Sequence, residues 1–272
     1  MKAKTFHILL VLTLLLVSMV PAVIAAPAAS HGFDDNPEFV PKEDNRPDPL
    51  TTGKTELKEQ ALEAKLNGKA YGRTHEVARG QFVELAREGE DPVWTVLGEF
   101  SDMPHNVMPE PDRSVDNSNI WTADFSRDHY LELLFAEGAG VNSMRQYYIE
   151  QSTNRYTVHG DVTDWVPVPG VAASYDDDFA SPLGGNQVWY FLIDSLNGWY
   201  DMQIAAGKTP AEIDEYLSGF DVWDRYDWDL DGIFDEPDGY IDHMQFVHAG
   251  PGNESCSPAC DDWAIWSHSW FA

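Results

Sequence analysis

The sequence predicts a mixed α/β (α+β) fold, because short apolar runs typical of strands alternate along the chain with stretches whose apolar residues recur at helical spacing. Of the 272 residues, 43% are apolar and ten are tryptophan, which is enough to bury a substantial core. This length allows one domain with a smaller segment in front of it. The sequence shows no internal repeat.

The first residues have the composition of an export signal. Two lysines precede an apolar run from Ile8 to Val17, and small residues up to Ala25 form a small-x-small cleavage pattern. The run is too short to span about 30 Å of hydrocarbon, which argues against a membrane anchor. We therefore expect a signal peptide over residues 1–25, cleaved after Ala25 or alternatively Ala28, and a secreted protein with no later membrane association.

Residues 26–90 are expected to be a propeptide and linker with one short helix. Their first part is rich in Pro, Asp, Asn and Glu and lacks apolar periodicity. Apolar residues at helical spacing then predict a helix from Thr55 that ends at Asn67-Gly68. A second charged, linker-like stretch follows to about Asp91, so the predicted domain covers residues 91–272.

Local signals predict the first elements of this domain. The apolar run Val93–Leu97 predicts a strand. Ser126 and Asn142 are candidate N-caps of two helices, and a longer helix is expected to begin near Asn186.

Three further elements are expected after these. Alternating apolar residues over 156–168 predict two paired strands joined by a turn near Gly160. Thr209-Pro210-Ala211-Glu212 is a capping box with proline at the first helical position, and it predicts a short helix through Leu217. A last strand is expected from Tyr240 to Val247.

The charge excludes one class of partner. The formal net charge is -29, and removing residues 1–25 takes away two lysines and no acids, which gives -31. Nucleic acid phosphates would be repelled, so no nucleic-acid partner is expected.

The cysteines are Cys256 and Cys260, four residues apart. In an oxidising compartment this spacing favours a small-loop disulfide. The alternative is a zinc site that uses His248 or His268 as further ligands, although no second cysteine pair supports it.

The strongest motif is the Asp-rich run from Asp227 to Asp238, in which carboxylates occupy loop positions one, three, five, nine and twelve, with Gly232 at position six. This is the spacing of a calcium loop. Calcium prefers six to eight oxygens at about 2.3–2.6 Å. The alternative is an Asp-rich turn without metal. The predicted calcium ligands are the side chains of Asp227, Asp229, Asp231, Asp235 and Asp238 and the backbone carbonyl of Ile233.

Two features separate this run from an EF-hand. Position twelve is Asp238 rather than glutamate, so its carboxylate has a shorter reach. A strand rather than a helix is expected to follow the loop. We therefore interpret the run as the calcium loop of an extracellular enzyme and not as a regulatory sensor.

His75-Glu76 begins like the zinc motif H-E-x-x-H, but Arg79 occupies the place of the second histidine. The motif requires both imidazoles on one helical face, and an arginine would repel the metal. We expect no zinc site there, and ordinary structural roles for His243 and His248.

Several stretches resemble the immune inhibitor A family of secreted zinc metallopeptidases. The most specific are Glu236–His243 and Ile265–His268. Residues 46–68 resemble the propeptide helix of this family. The other stretches are Val96–Asp102 with Pro104–Asn106, Tyr147–Ser152, Arg155–Tyr156 with Gly160–Val162 and Trp165–Val166, Asp229–Gly232, and Val247–Gly250.

The resemblance implies a zincin-like catalytic domain with a propeptide, structural calcium and protein or peptide substrates. Its active site would be an H-E-x-x-H helix, where zinc activates a water molecule with help from the glutamate. In the family that helix follows the Ile265–His268 stretch, whereas this chain ends at Ala272. We therefore expect a truncated domain, inactive alone, with zinc required by the full-length protein but no zinc ligand or catalytic residue present in this chain.

A second hypothesis is a non-catalytic, calcium-binding secreted module on the same scaffold. An H-E-x-x-H motif encoded soon after codon 272 would favour the peptidase, and a stop codon at that point would favour the module. Where the family often has a basic residue, Ser269 stands in this sequence, so no role is carried over to that position.

Overall fold

The computed structural model describes residues 49–115, 121–176, 187–256, 259–260 and 263–267, and for residues 49–53 it describes the backbone alone. The predicted signal peptide lies outside the described residues. So do Asn186, at the predicted start of the long helix, and His268, the alternative zinc ligand.

Helices and strands alternate along the described chain, as the sequence predicts, and form a mixed α/β structure. The helices are α1 (Pro49–Leu66), α2 (Arg127–Phe135), α3 (Met144–Ser152), α4 (Val188–Ala205), α5 (Pro210–Ser218) and α6 (Asn253–Cys256), with a short 3₁₀ helix at Ala172–Ser174. The strands are β1 (Thr74–Ala78), β2 (Gln81–Glu84), β3 (Gly89–Glu99), β4 (Tyr156–Val162), β5 (Val166–Pro167) and β6 (Met244–His248).

Strand β3 is the centre of a four-stranded parallel sheet. Its Trp94 pairs with Asp161 of β4 and with Met244 of β6, so the two neighbours lie on opposite edges of β3. A central parallel strand is covered on both faces and therefore has a nearly continuous apolar sequence. This is why the run Val93–Leu97 identifies the strand correctly.

Helices cover both faces of this strand. Trp94 and Val96 pack against Trp199 of α4 and Ile213 of α5, and the indole rings of Trp94 and Trp199 meet edge to face at 4.7 Å. On the other face, Leu97 packs with residues of α2. Alternate side chains of β3 thus join two apolar layers into one core.

The stretch expected to be linker-like before Asp91 is ordered structure instead. Strands β1 and β2 form an antiparallel hairpin in which Thr74 pairs with Glu84, and β3 already begins at Gly89. Gly80 adopts the left-handed conformation that the hairpin turn requires, with φ of 68°. The prediction of a linker was wrong because the two strands are short, five and four residues, and bury few apolar side chains, among them Val83.

The expected turn near Gly160 is also wrong. Strand β4 runs through this residue and pairs with β3 in parallel, Gly160 opposite Val93. A Cβ atom at Gly160 would overlap the carbonyl oxygen of Val93 and would lie 2.7 Å from the ring of Phe135. The glycine therefore permits a close approach of two strands rather than a reversal of the chain.

Other boundaries move for local reasons. The cap of α3 is Ser143 rather than Asn142, because the Ser143 hydroxyl accepts a hydrogen bond from the Gln146 amide. Helix α1 begins at Pro49, before the predicted Thr55. Ser126 does cap α2, and the capping box of α5 is present with both of its hydrogen bonds.

The predicted strand from Tyr240 shortens to β6, which begins at Met244. The residues before it belong to the turn that closes the Asp-rich loop, since the Asp242 amide donates to the Phe220 carbonyl at 2.9 Å.

Gly160→Ala should destabilise the protein, because the added methyl group has no space between the paired strands. We expect the free energy of unfolding to fall by about 1–3 kcal/mol. Gly219→Ala is the matched control, since Gly219 has a helical φ of -67° and its nearest neighbouring atom would lie at 3.3 Å. Urea denaturation measures both, and equal stability of the two variants would contradict this account of Gly160.

Candidate metal site

The Asp-rich segment is a closed loop between α5 and β6, referred to below as the acidic loop (residues 221–242). The two oxygens of the Asp221 carboxylate accept one amide each, that of Asp238 at 2.8 Å and that of Gly239 at 2.9 Å. Near the same point, Asp242 accepts the amide of Val222 at 2.7 Å. These bonds tie the two ends of the loop together.

Inside the loop, side chains curl the backbone. The Asp227 Oδ1 atom accepts the Gly232 amide at 2.9 Å, and Asp231 Oδ1 accepts the Ile233 amide at 2.7 Å. The second bond, to the amide two residues further on, is typical of an Asx turn. Three residues adopt left-handed conformations, with φ of 51° at Asp227, 63° at Leu230 and 81° at Gly232. The tight curl directs successive carboxylates toward one region.

Two overlapping groups of carboxylates result. Asp224, Asp227 and Asp229 form one, and Asp229, Asp231 and Glu236 form the other. In each group, one oxygen from every residue lies within 4.8 Å of the others. Hard oxygen ligands converging in this way suit a cation such as calcium.

The Oδ2 atom of Asp227 gives the most specific sign of a missing positive charge. The residue is 1% exposed, and this oxygen has no hydrogen-bond partner among the described residues. A buried carboxylate oxygen without a partner is strongly unfavourable unless a cation or a bound water satisfies it. Since Oδ1 is already bonded to Gly232, Oδ2 is the atom left to bind a ligand.

Mutual repulsion is visible at Glu236. Its partial burial, and then the negative charges of Asp231 and Asp229 followed by those of Asp224 and Asp227, raise the pKa of Glu236. A nearby cation would remove this repulsion, because it favours the charged form of every carboxylate around it.

The structure brings together some of the predicted ligands and separates others. Asp227, Asp229 and Asp231 lie in the two groups. Asp235 is instead ion-paired with arginines outside the loop, and the Asp238 carboxylate accepts the Tyr240 amide at 3.0 Å.

Ile233 has an exposed side chain, and its amide donates to Asp231. Two members of the groups were missed. Glu236 was within the predicted run but at position ten, which supplies no ligand in the motif. Asp224 precedes the run; it is buried at 3% exposure and accepts the amides of Tyr226 and Trp228.

An ion-pair network connects the acidic loop to the hairpin and to the sheet. Asp235 Oδ1 lies 2.9 Å from Arg73 and 2.7 Å from Arg87. Arg87 also binds the buried carboxylate of Asp91 at the start of β3, through Nε at 2.9 Å. Glu84 accepts the indole N–H of Trp223 at 2.9 Å, so the neck of the loop is held by the hairpin as well.

A model of the immune inhibitor A peptidase M6 catalytic domain matches residues 79–272. Immune inhibitor A of Bacillus thuringiensis subsp. alesti is 35% identical over 189 residues, which cover 66% of this chain and 26% of that protein. Pre-pro-metalloprotease PrtV of Vibrio cholerae serotype O1 (strain M66-2) is 30% identical over 223 residues, covering 79% of this chain and 23% of that protein.

The chain belongs to the immune inhibitor A family of M6 peptidases. It spans about a quarter of the length of these curated relatives. The family match begins at residue 79, inside the hairpin, rather than at the predicted boundary of residue 91. The alignment with PrtV covers 79% of the chain, which is too much to be confined to residues 79–272.

Three histidines singled out in the sequence of this M6 chain have structural surroundings. His75 lies in strand β1, so the His75-Glu76 pair is not on a helix. His243 stacks near Trp223 and lies 3.4 Å from Asp91. His248 packs against Phe100, and burial lowers its pKa, while a hydrogen bond to the Ala249 carbonyl opposes this shift.

Cys256 and Cys260 form a disulfide, as their spacing predicts. Their sulfurs are therefore not available as thiolates for the alternative zinc site. Among the described residues, neither group of candidate metal ligands contains a histidine or a cysteine, so the groups do not fit zinc. No helix in the described part of the chain combines the length and apolar character needed to cross a membrane.

Asp91 should stabilise the protein in a pH-dependent way. Burial alone would raise its pKa, but hydrogen bonds from His243 and Arg87 and their positive charges lower it to about 2. A lowered pKa in the folded state contributes stability above the unfolded value of 3.8. By linkage this contribution is about 2 kcal/mol, and it disappears as the pH falls from about 5 toward 2.

Asp91→Asn should therefore lower the free energy of unfolding at pH 7, and the difference from the parent should shrink on acidification. Urea denaturation between pH 7 and pH 3 measures this difference. The exposed Asp201→Asn on α4 serves as the control and should show no such trend. A deficit that stayed constant with pH would show that the Asp91 charge is not responsible.

Proposed function

We propose that this chain is part of a secreted zinc-dependent endopeptidase, made with a signal peptide and a propeptide, and that its own acidic loop binds calcium. Membership of the M6 family supports hydrolysis of peptide bonds in proteins or peptides. The name of one relative, a pre-pro-metalloprotease, supports the signal and the propeptide. The Cys256–Cys260 disulfide supports an oxidising, extracellular location.

We assign no zinc ligand and no general base to the 272 residues. They contain no H-E-x-x-H motif, and the acidic groups present are hard oxygen ligands that suit calcium better than zinc. Family membership favours the peptidase over the alternative of a non-catalytic calcium-binding module.

The observation that carries the calcium proposal is the buried, unpartnered Asp227 Oδ2 within converging carboxylates. In this proposal Asp224, Asp227, Asp229, Asp231 and Glu236 supply oxygens. The Asp227 Oδ1 bond to Gly232 leaves Oδ2 directed at the cation. Of the ligands predicted from the motif, Asp235, Asp238 and the Ile233 carbonyl remain candidates that the loop could add by a local change of conformation.

Calcium should raise the thermal stability of the chain, since a ligand that binds only the folded state stabilises it. A free concentration of 100 times Kd gives about 2.7 kcal/mol. Asp227→Asn should lose most of this gain, because it removes the charge of the unpartnered oxygen. Thermal unfolding with excess calcium and with chelator measures the gain, and Asp201→Asn should respond like the parent. An undiminished calcium response in Asp227→Asn would refute the site.

The 272-residue chain by itself should not hydrolyse a protein substrate in a zinc-dependent manner, because it lacks the H-E-x-x-H motif. A fluorescent casein assay with added zinc, compared with the same reaction plus a zinc chelator, tests this expectation. Chelator-sensitive hydrolysis by the purified chain would contradict it and would require zinc ligands within residues 1–272.

A further inference from the structure

Basic residues that precede the central strand β3 meet the acidic loop. We define the amino-terminal arm as residues 54–87, which comprise most of α1 and the β1–β2 hairpin. Its Arg73 donates to the Asp235 carboxylate at 2.9 Å, and its Phe82 ring covers Gly232, where an added Cβ would lie 2.7 Å from the ring. The arm therefore contacts both the backbone and the charges of the loop.

Lys54 brings a further positive charge to the same place. Its ammonium lies 5.5 Å from the centre of the Tyr226 ring. Together with Tyr226 and Phe234 it lines a cavity of about 460 Å³ between α1, the hairpin and the loop. Partial burial lowers the pKa of Lys54, and the charges of Asp227 and then Asp224 oppose that shift. Tyr226 adjoins Asp227 in the sequence and its amide donates to Asp224 at 3.1 Å, so Lys54 contacts the loop next to two of the proposed calcium ligands.

The second contact involves Asp235, which the motif predicts as a calcium ligand but which lies outside both groups of converging carboxylates. Asp235 occupies position nine of the calcium spacing, yet Arg73 and Arg87 hold its carboxylate by ion pairs. A carboxylate neutralised in this way contributes little attraction to a cation in the loop. The arm therefore adds positive charge at one side of the loop and removes negative charge from the other.

We infer that the amino-terminal arm competes with the divalent cation for the carboxylates of the acidic loop, through Lys54 at Asp224 and Asp227 and through Arg73 at Asp235. This inference rests on the proposed calcium site. It follows that docking of the arm lowers the calcium affinity of the loop. By thermodynamic reciprocity, a bound cation weakens docking of the arm by the same factor.

The position of these residues in the chain determines how loss of the amino-terminal segment would change the calcium affinity. Lys54 and Arg73 both precede residue 79, where the match to the family's catalytic domain begins, whereas Arg87 follows it. Loss of the segment before residue 79 would remove the positive charges of Lys54 and Arg73 and leave Arg87 bound to Asp91. The loop of the processed domain would then bind calcium more tightly than the loop of the precursor.

The test is the calcium affinity of the chain with single charges removed from the arm. Terbium luminescence, excited through Trp228 of the loop and displaced by calcium, reports the Kd. Lys54→Gln and Arg73→Gln should each tighten calcium binding by about fivefold or more. Two control variants should bind calcium like the parent. Lys65→Gln lies at the exposed far end of the same helix. Arg155→Gln removes a cation whose partner is Glu88, at 3.6 Å, and not a residue of the loop.

The outcomes separate this inference from the calcium site itself. Failure of the parent to bind calcium, or unchanged binding in Asp227→Asn, overturns the site and the inference with it. Calcium binding that depends on Asp227 but is equal or weaker in both Lys54→Gln and Arg73→Gln overturns the competition alone. Two variants are used because Arg73 also pairs with Glu84 of the hairpin, whereas Lys54 belongs to α1.

Discussion

The repulsion between the carboxylates of the acidic loop is the constraint on which the rest of this region depends. Backbone amides relieve part of it, since Trp228 and Tyr226 donate to Asp224 and Gly232 donates to Asp227. The Asp227 Oδ2 atom is left without a donor among the described residues, and it marks where a cation can be held.

Charge adds to apolar packing in fixing the loop to the rest of the domain, since Phe234 is buried and Ile241 packs against the Trp94 cluster. Arg87 binds Asp91, which belongs to the central strand, and also Asp235 of the loop. Its guanidinium lies 4.9 Å from the Trp223 ring, on which Arg225 also stacks. Movement of Asp235 toward a cation would therefore change the partners of an arginine that also neutralises a buried carboxylate of the sheet.

Structural features that depend on interactions close in the sequence were the ones predicted correctly. The apolar run of β3, the Ser126 cap and the capping box at Thr209 were predicted correctly, because each depends on burial or on bonds within one turn. Gly160 was misinterpreted because its need for glycine arises from the neighbouring strand. The hairpin was missed because its strands of five and four residues bury few apolar side chains, such as Val83.

The same distinction applies to the candidate site. The spacing predicted Asp227, Asp229 and Asp231, whose carboxylates accept backbone amides of the loop itself. Asp235 and Asp224 could not be placed from spacing alone. The partners of Asp235 lie more than a hundred residues away, with separations of 162 to Arg73 and 148 to Arg87, and Asp224 lies before the first position of the motif.

The motif predicts Asp235, at position nine, as a calcium ligand, whereas in the structure it is ion-paired with arginines. This difference has a physical source. The motif spacing indicates which carboxylates can reach a bound ion. The ion pairs in the structure show which carboxylates are neutralised by arginine when the arm is docked. Asp235 belongs to both groups, by its position in the motif and by its ion pairs with Arg73 and Arg87. Because Arg87 stays with the domain while Arg73 precedes residue 79, removal of the segment before residue 79 would weaken but not abolish the hold on Asp235. The affinity of the loop would then be set by the balance between one arginine and the ion.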